Sequence, residues 1–263
     1  MNYFVEGLQG SGKSTMVRKL SEHNPGYNAV REGEYSPVEL SWCAYVDSSR
    51  YEAILQKYPD LRPQIEEKSY SEGDRKIVCY TKIATENQAF YRDLEQDEIY
   101  NNRVSMDDFR SIVLGRYRNW ASDEMIFECS LFQNTVEDMI LFRQASDEEI
   151  MAFYRLVRDA LDGKEYRIVY LKAEDIRANL EIIRKERSDE QGNELWYPMM
   201  LGFFDNCPYS KASGLKGGAA LVGHLTHRQD LELRICKEIF PDRSVIFRSK
   251  DYTDKDIKAL SEG

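Results

Sequence analysis

The stretch Gly7-Leu8-Gln9-Gly10-Ser11-Gly12-Lys13-Ser14-Thr15 decides how this chain is read. Its glycines let the backbone curl until successive N–H groups point into one concavity, and such a concavity accepts phosphate oxygens. The residues before it, Asn2–Glu6 (NYFVE), read as a short buried strand, and Met16–Leu20 continues as a helix. A helix starting near Lys13 turns its positive N-terminal end toward the same anion.

Working outward, short apolar runs alternate with long helical ones, the pattern of a parallel sheet covered by helices. Besides Asn2–Glu6, the runs Tyr27–Arg31, Glu124–Cys129, Tyr166–Leu171 and Ser244–Arg248 read as strands, each rich in β-branched or aromatic residues and bounded by polar or turn residues. The expectation is an α/β, three-layer fold with a five-stranded parallel sheet flanked by helices. The stretch Glu32–Asp123 is too long for a loop, and its patches Val38–Val46, Arg50–Tyr58, Thr81–Asp93 and Met106–Trp120 read as helical. Residues 33–123 are therefore expected to form a helical insertion within one domain spanning 1–263. Arg187–Leu221, with Pro198, Pro208 and several glycines, reads as irregular or mobile, and Leu225–Phe240 as a helix ended by Pro241.

Composition narrows the function classes. The chain has 263 residues, long enough for one large domain or a domain with a sub-domain. Lys and Arg number 36 against 46 Asp and Glu, a formal charge of −10, which argues against a nucleic-acid-coating surface. Five separated cysteines without a CxxC pair fit reduced thiols better than a disulfide framework. Three histidines make a His-rich metal site a poor reading, and His224 and His227 read as polar helix residues. No apolar run approaches the roughly 20 residues that span a bilayer. A strand that begins at once and meets the loop by Gly7 leads to the expectation of no signal peptide and a cytoplasmic location.

The loop matches the P-loop pattern GxxxxGK[ST] without mismatch. In that pattern Gly7, Gly10, Ser11, Gly12, Lys13, Ser14 and Thr15 hold nucleoside-triphosphate phosphates. Lys13 reaches the β- and γ-phosphates, and the Ser14 hydroxyl ligates Mg²⁺. ATP and Mg²⁺ are the expected cofactors. No NKxD base-reading string and no LSGGQ signature occurs, and Asp189-Glu-Gln-Gly192 fits DxxG only by letter, in a charged run after a helix.

With these residues the chain resembles the deoxynucleoside kinase and thymidylate kinase group of P-loop kinases. The resemblance covers the P-loop, the ends of strands two and three, and an arginine-bearing lid. It implies that Glu32, at the end of strand two, acts as general base on an acceptor hydroxyl, with Glu34 as the near alternative; Gly33 stands where the group has proline. It implies that Glu128, in Phe127-Glu128-Cys129-Ser130, holds Mg²⁺; Cys129 stands where the group has arginine. The amphipathic segment Glu174–Arg187 resembles the lid helix, making residues 174–221 a lid and mobile segment. Arg184 and Arg187 are its candidates for neutralising the transferred phosphoryl, beside Lys185. Ser249–Tyr252 falls where related kinases pack adenine, with Tyr252 to stack on it, and the amide of Gln88, which shares a helix face with Arg92, is placed by the resemblance to read a base edge.

The aromatic residues of the insertion, Trp42, Tyr80, Phe90 and Trp120 among them, stack flat ligands in some sites but are more often core. The function expected is transfer of the ATP γ-phosphoryl to a small-molecule acceptor, a nucleoside or nucleoside monophosphate. A sugar or antibiotic acceptor stays open, as does a regulatory nucleotide-switched NTPase without acceptor. No nucleic-acid or membrane partner is expected; a homodimer is, by resemblance alone.

Overall fold

The computed structural model describes residues 1–262. In chain order the elements are β1 (Asn2–Gly7), α1 (Lys13–His23), β2 (Asn28–Val30), β3 (Ala44–Asp47), α2 (Ser48–Lys57), α3 (Arg62–Glu67), β4 (Ser69–Glu72), β5 (Arg75–Val78), α4 (Gln88–Leu94), α5 (Met106–Asn119), β6 (Met125–Glu128), α6 (Gln133–Leu141), α7 (Asp147–Ala160), β7 (Tyr166–Lys172), α8 (Ile176–Glu186), α9 (Trp196–Asn206), α10 (Pro208–Ser213), α11 (Gly217–Glu238), β8 (Ser244–Arg248) and α12 (Asp254–Glu262). They fall into two compact units, one made of Met1–Ala29 with Ala121 onward, the other of Val30–Trp120.

The first unit is the P-loop NTPase α/β fold, with its parallel strands in the order β2-β6-β1-β7-β8. All five strands lie in the expected apolar runs. β1 and β6 are buried along their whole length, as apolar strands covered on both faces must be, whereas the edge strand β8 is half exposed. Alternation then divides β1 between two helical layers. Tyr3 and Val5 meet Met16, Val17 and Leu20 of α1 and Ile257 and Leu260 of α12. Phe4 points the other way and stacks on Phe127, ring centroids 5.1 Å apart. Residues Gly7 and Leu171 pair in register, so the ends of β1 and β7 lie side by side. Their outgoing connections run to opposite sides of the sheet, and ligands of open α/β sheets collect at such a point.

Local signals explain the helices. A capping box between Ser146 and Glu149 starts α7, which buries Ile150, Phe153, Tyr154 and Val157. Asp175 accepts the Ala178 N–H to start α8, and the stripe Ile176, Leu180, Ile183 buries its inner face.

Behind the sheet lies a buried ionic cluster. Arg228 on α11 is completely enclosed; it donates through Nε to Glu232 at 2.8 Å and through Nη1 to Glu137. The hydroxyl of Tyr170 donates to the other oxygen of Glu232 at 2.7 Å. Burial alone would raise Glu137, but the charges of Arg228 and His224 outweigh it and bring its carboxyl down to about 2.

The second unit contains the expected helices α2 and α5 and adds a three-stranded antiparallel sheet, β3-β5-β4, to the helical insertion expected from the sequence. Its core gathers Ile54, Leu55, Ile65, Val78, Phe90 and Leu94. The helix expected at Val38–Val46 is corrected to a turn leading into β3. Ser36 Oγ accepts the N–H groups of Val38 and Glu39, and the Glu39 carboxylate accepts those of Leu40 and Ser41, so side chains take the amides that a helix would use. The helix expected over Thr81–Asp93 starts only at Gln88, because Asn87 caps it by accepting from Ala89 and Phe90.

The irregular segment expected over Arg187–Leu221 is corrected as well. It is mostly helical, comprising α9, α10 and the start of α11, and two of its glycines sit at joints: Gly192 in a tight turn at φ 82° and Gly214 as the left-handed C-cap of α10.

Arg228→Ala should cost about 3–5 kcal/mol by leaving Glu137 and Glu232 buried without their partner, read as a lowered urea midpoint. The depressed carboxyl of Glu137 makes a second expectation. Its contribution is complete above pH about 4.5 and is lost as pH falls toward about 2; Glu137→Gln should flatten that acid limb in unfolding measurements across the same range.

Candidate phosphate-binding site

The loop between β1 and α1 takes its shape from positive φ at Gly7, Gly10 and Gly12 (136°, 73° and 91°). Two of these positions also exclude a side chain by space. A Cβ on Gly7 would lie 2.5 Å from the Leu171 carbonyl oxygen, and one on Gly10 would lie 2.1 Å from Ile183 Cγ1. The loop is thus clamped between the end of β7 and the inner face of α8. Asn179 on α8 donates to the Gln9 carbonyl at 2.7 Å, and Ser249 Oγ after β8 donates to the Ser11 carbonyl at 2.8 Å.

Gly12 caps α1 without a side-chain acceptor, so the amides of the first turn, Lys13 through Thr15, open the helix uncovered by any cap. The Lys13 ammonium is buried and donates to the carbonyls of Gly7 and Leu8 at 2.8 and 2.9 Å, which keeps it over the loop. The Ser11 hydroxyl is fully buried and has no hydrogen-bond partner among the described residues. An orphaned hydroxyl in a curl of backbone donors fits a phosphate acceptor.

Next to the loop, β6 ends opposite β1 with Val5 and Glu128 in register. Ser14 Oγ donates to Glu128 Oε1 at 2.5 Å. A hydroxyl and a carboxylate in this contact form the hard-oxygen donor pair that suits Mg²⁺. The turn after Glu128 is anchored from below. The Glu6 carboxyl accepts the N–H groups of Leu131 and Phe132 at 2.7 and 3.2 Å, and burial pushes that carboxyl up to about 8. Cys129, where the resemblance led one to expect arginine, adopts φ 59° and turns its thiol into the interior beside Gln133.

Arg184 and Arg187, the arginines expected to belong to a lid, lie on α8 and its C-cap. Arg184 Nε donates to both oxygens of Glu194 at 3.0 and 3.1 Å, and its guanidinium lies 4.3 Å from the Tyr197 ring centroid. Arg187 lies 4.8 Å from the Trp196 ring centroid. Between them and α9, Asp189 accepts the N–H groups of Gln191 and Asn193, so the DxxG string is a tight turn. Tyr252 lies at the other side of the loop, its hydroxyl 4.0 Å from where a Gly12 Cβ would stand.

The second unit holds Glu32 and Glu34. The Trp42 indole N–H donates to Glu32 Oε1 at 3.0 Å. Glu34 instead accepts the Arg31 N–H at 2.9 Å and closes the turn through Gly33, at φ 80°. Gln88 and Arg92 are exposed on α4, while Tyr80, Phe90 and Trp120 are core, as their spacing suggested.

The structure therefore brings together the loop residues, Glu128 and Tyr252, and seats the root of the arginine-bearing helix on the loop. Sequence reading passed over Asn179 and Glu6. Asn179 had a signal, being a polar residue inside the apolar stripe of α8; Glu6 had one too, as an acid in an otherwise apolar buried strand.

No family model matches the chain, and no curated protein matches it. Among solved structures it is similar to a gluconokinase from Sinorhizobium meliloti 1021, with a TM-score of 0.35 and 13% identity over 99% of this chain and 89% of that one. The loop geometry, and not that overlap, carries the functional reading.

Gly10→Ala should destabilise the protein by about 2–5 kcal/mol, combining a left-handed backbone cost of about 1–2 with overpacking of about 1–3. Thermal unfolding checks this, and adding Ile183→Ala should recover the overpacking share only.

Proposed function

We propose that the chain is an ATP-dependent small-molecule kinase whose acceptor is a nucleoside or nucleoside monophosphate. The contact of Ser14 with Glu128 at 2.5 Å, beside a glycine curl roofed by Lys13, is the observation that carries the reading. Only a site built for a metal-bound polyphosphate has reason to keep a helix-start hydroxyl, a strand-end carboxylate and a lysine on one loop.

In this reading the first-turn amides and the Ser11 hydroxyl bind phosphate oxygens, and Lys13 neutralises the β- and γ-phosphates. Ser14 and Glu128 would hold Mg²⁺, which when bound would supply charge neutralisation for the polyphosphate. Arg184 and Arg187 are assigned the lid role and Glu32 the base role by the resemblance, with residues 30–120 supplying acceptor recognition. Positioning and charge neutralisation do most of the work in phosphoryl transfer, so each of these groups should act mainly on turnover.

The test is ADP formation from Mg²⁺-ATP with a panel of nucleosides, nucleoside monophosphates, sugars and aminoglycosides. Stimulation by a nucleoside or its monophosphate is the expected result, with a loss of about 100-fold or more in Lys13→Ala. Glu128→Gln should raise the Mg²⁺ concentration needed for half-maximal turnover. Stimulation only by sugars or aminoglycosides would overturn the acceptor class. No stimulation by any acceptor, together with ATP-dependent protease protection of residues 187–221, would replace the kinase by a nucleotide-switched NTPase.

A further inference from the structure

Two buried thiols in the second unit face each other at a strand end. Cys43 Sγ and Cys79 Sγ are 3.5 Å apart, 36 positions apart in the chain, and both are free. They continue the antiparallel register of β3 and β5, in which Ala44 opposes Val78. The Cys43 N–H bonds to Leu40 O and the Cys79 N–H to Lys68 O, so the two residues do not exchange amide bonds. Opposed residues of that kind have Cα atoms about 4.5 Å apart, inside the roughly 4.4–6.8 Å window of a disulfide.

We propose that Cys43 and Cys79 form a redox-active dithiol that a hydroperoxide converts into an intramolecular disulfide. The surroundings divide the roles. The Cys43 S–H donates to Cys79, and with Lys82 nearby this holds the Cys79 thiol below its ordinary value; Cys43, the donor, is pushed up by that bond, by burial and by Glu39 and Glu98. Cys79 is thus the attacking thiolate. Its sulfur takes the distal oxygen of the hydroperoxide as the O–O bond breaks, and the proton that Cys79 gave up leaves on the other oxygen as an alcohol, or as water from hydrogen peroxide; a sulfenic acid remains. Cys43 then attacks that sulfur, the S–O bond breaks, and the sulfenic oxygen leaves as water with the Cys43 proton. Both thiols are almost wholly enclosed, at 1% and 2% exposure, so the oxidant is a small hydroperoxide and not a bulky disulfide.

The other cysteines are differently placed: Cys129 contacts Gln133, Cys207 contacts Ser210, and burial pushes Cys236 up to about 12.

The dithiol has a route to the surface. Trp42, adjacent to Cys43, sits at φ 61° with 45% of its surface exposed. Its carbonyl accepts the Thr81 hydroxyl two residues beyond Cys79, at 3.5 Å, and its indole donates to Glu32. A covalent bond between 43 and 79 would therefore act next to the residue whose indole holds Glu32, and Trp42 is its reporter.

Treating the reduced full-length chain with hydrogen peroxide, followed by non-reducing peptide mass mapping, tests the proposal without nucleotide or acceptor, so its outcome is separate from that of the kinase reading. A linked Cys43–Cys79 peptide, lighter by two hydrogen atoms and reversed by dithiothreitol, is expected. It should persist in the Cys129→Ala/Cys207→Ala/Cys236→Ala chain. In Cys43→Ser, dimedone should label Cys79. Tryptophan emission should shift on oxidation, and Trp42→Phe should abolish the shift. Oxidation reaching the other three thiols first, or Cys79 left unlabelled in Cys43→Ser, overturns the dithiol; an emission unchanged by the disulfide overturns its link to Trp42.

Discussion

The structure turns on how closely bare backbone approaches its neighbours at the loop between β1 and α1. At Gly7 the closest neighbour is the carbonyl of Leu171, and at Gly10 it is the side chain of Ile183. Both positions also carry positive φ. The sheet order that sets β7 beside β1, and the apolar stripe that brings α8 down on the loop, are therefore part of the same constraint. A loop gripped in this way presents its amides without reorganising, and a preorganised donor set is worth more to an anion than a flexible one.

Around that loop, charge is arranged in two ways. On the ligand side, Lys13, Ser14 and Glu128 remain polar groups with partners that a phosphate or cation can replace. Behind the sheet, Arg228, Glu137, Glu232 and Tyr170 pair with one another inside the fold. Arg228 Nη1 also reaches Gln9 Oε1 at 3.4 Å, so the buried cluster touches the loop itself. The enclosed guanidinium is held by its two carboxylates.

The unit spanning residues 30–120 follows a different logic. Its sheet is small and antiparallel, and its turns are written by side chains that capture backbone amides, Ser36, Glu39 and Asn87 among them. Burial raises both Glu39 and Glu98 to about 7, against hydrogen bonds from Tyr100 and Tyr80. Polar groups satisfied this deeply fix the shape of a small core at some cost in stability.

Much of the first unit was legible in the sequence. Five apolar runs gave the strands because buried parallel strands need little beyond continuous β-branched and aromatic residues, and the glycine spacing gave the loop because few other residues tolerate its φ angles. The place of Glu128 beside the loop was legible because a strand end sets its residue at a fixed level of the sheet. What tertiary structure alone decided was which side chains complete each other across long separations: Asn179 with Gln9, Glu6 with Leu131, Arg184 with Glu194, and Cys43 with Cys79. It also decided that Val38–Val46 turns before entering a strand and that Arg187–Leu221 coils into helices. The reason is physical. Periodicity reports which face of a segment avoids water, whereas a partner for a polar atom, or for a strand edge, is supplied by residues that only folding brings near.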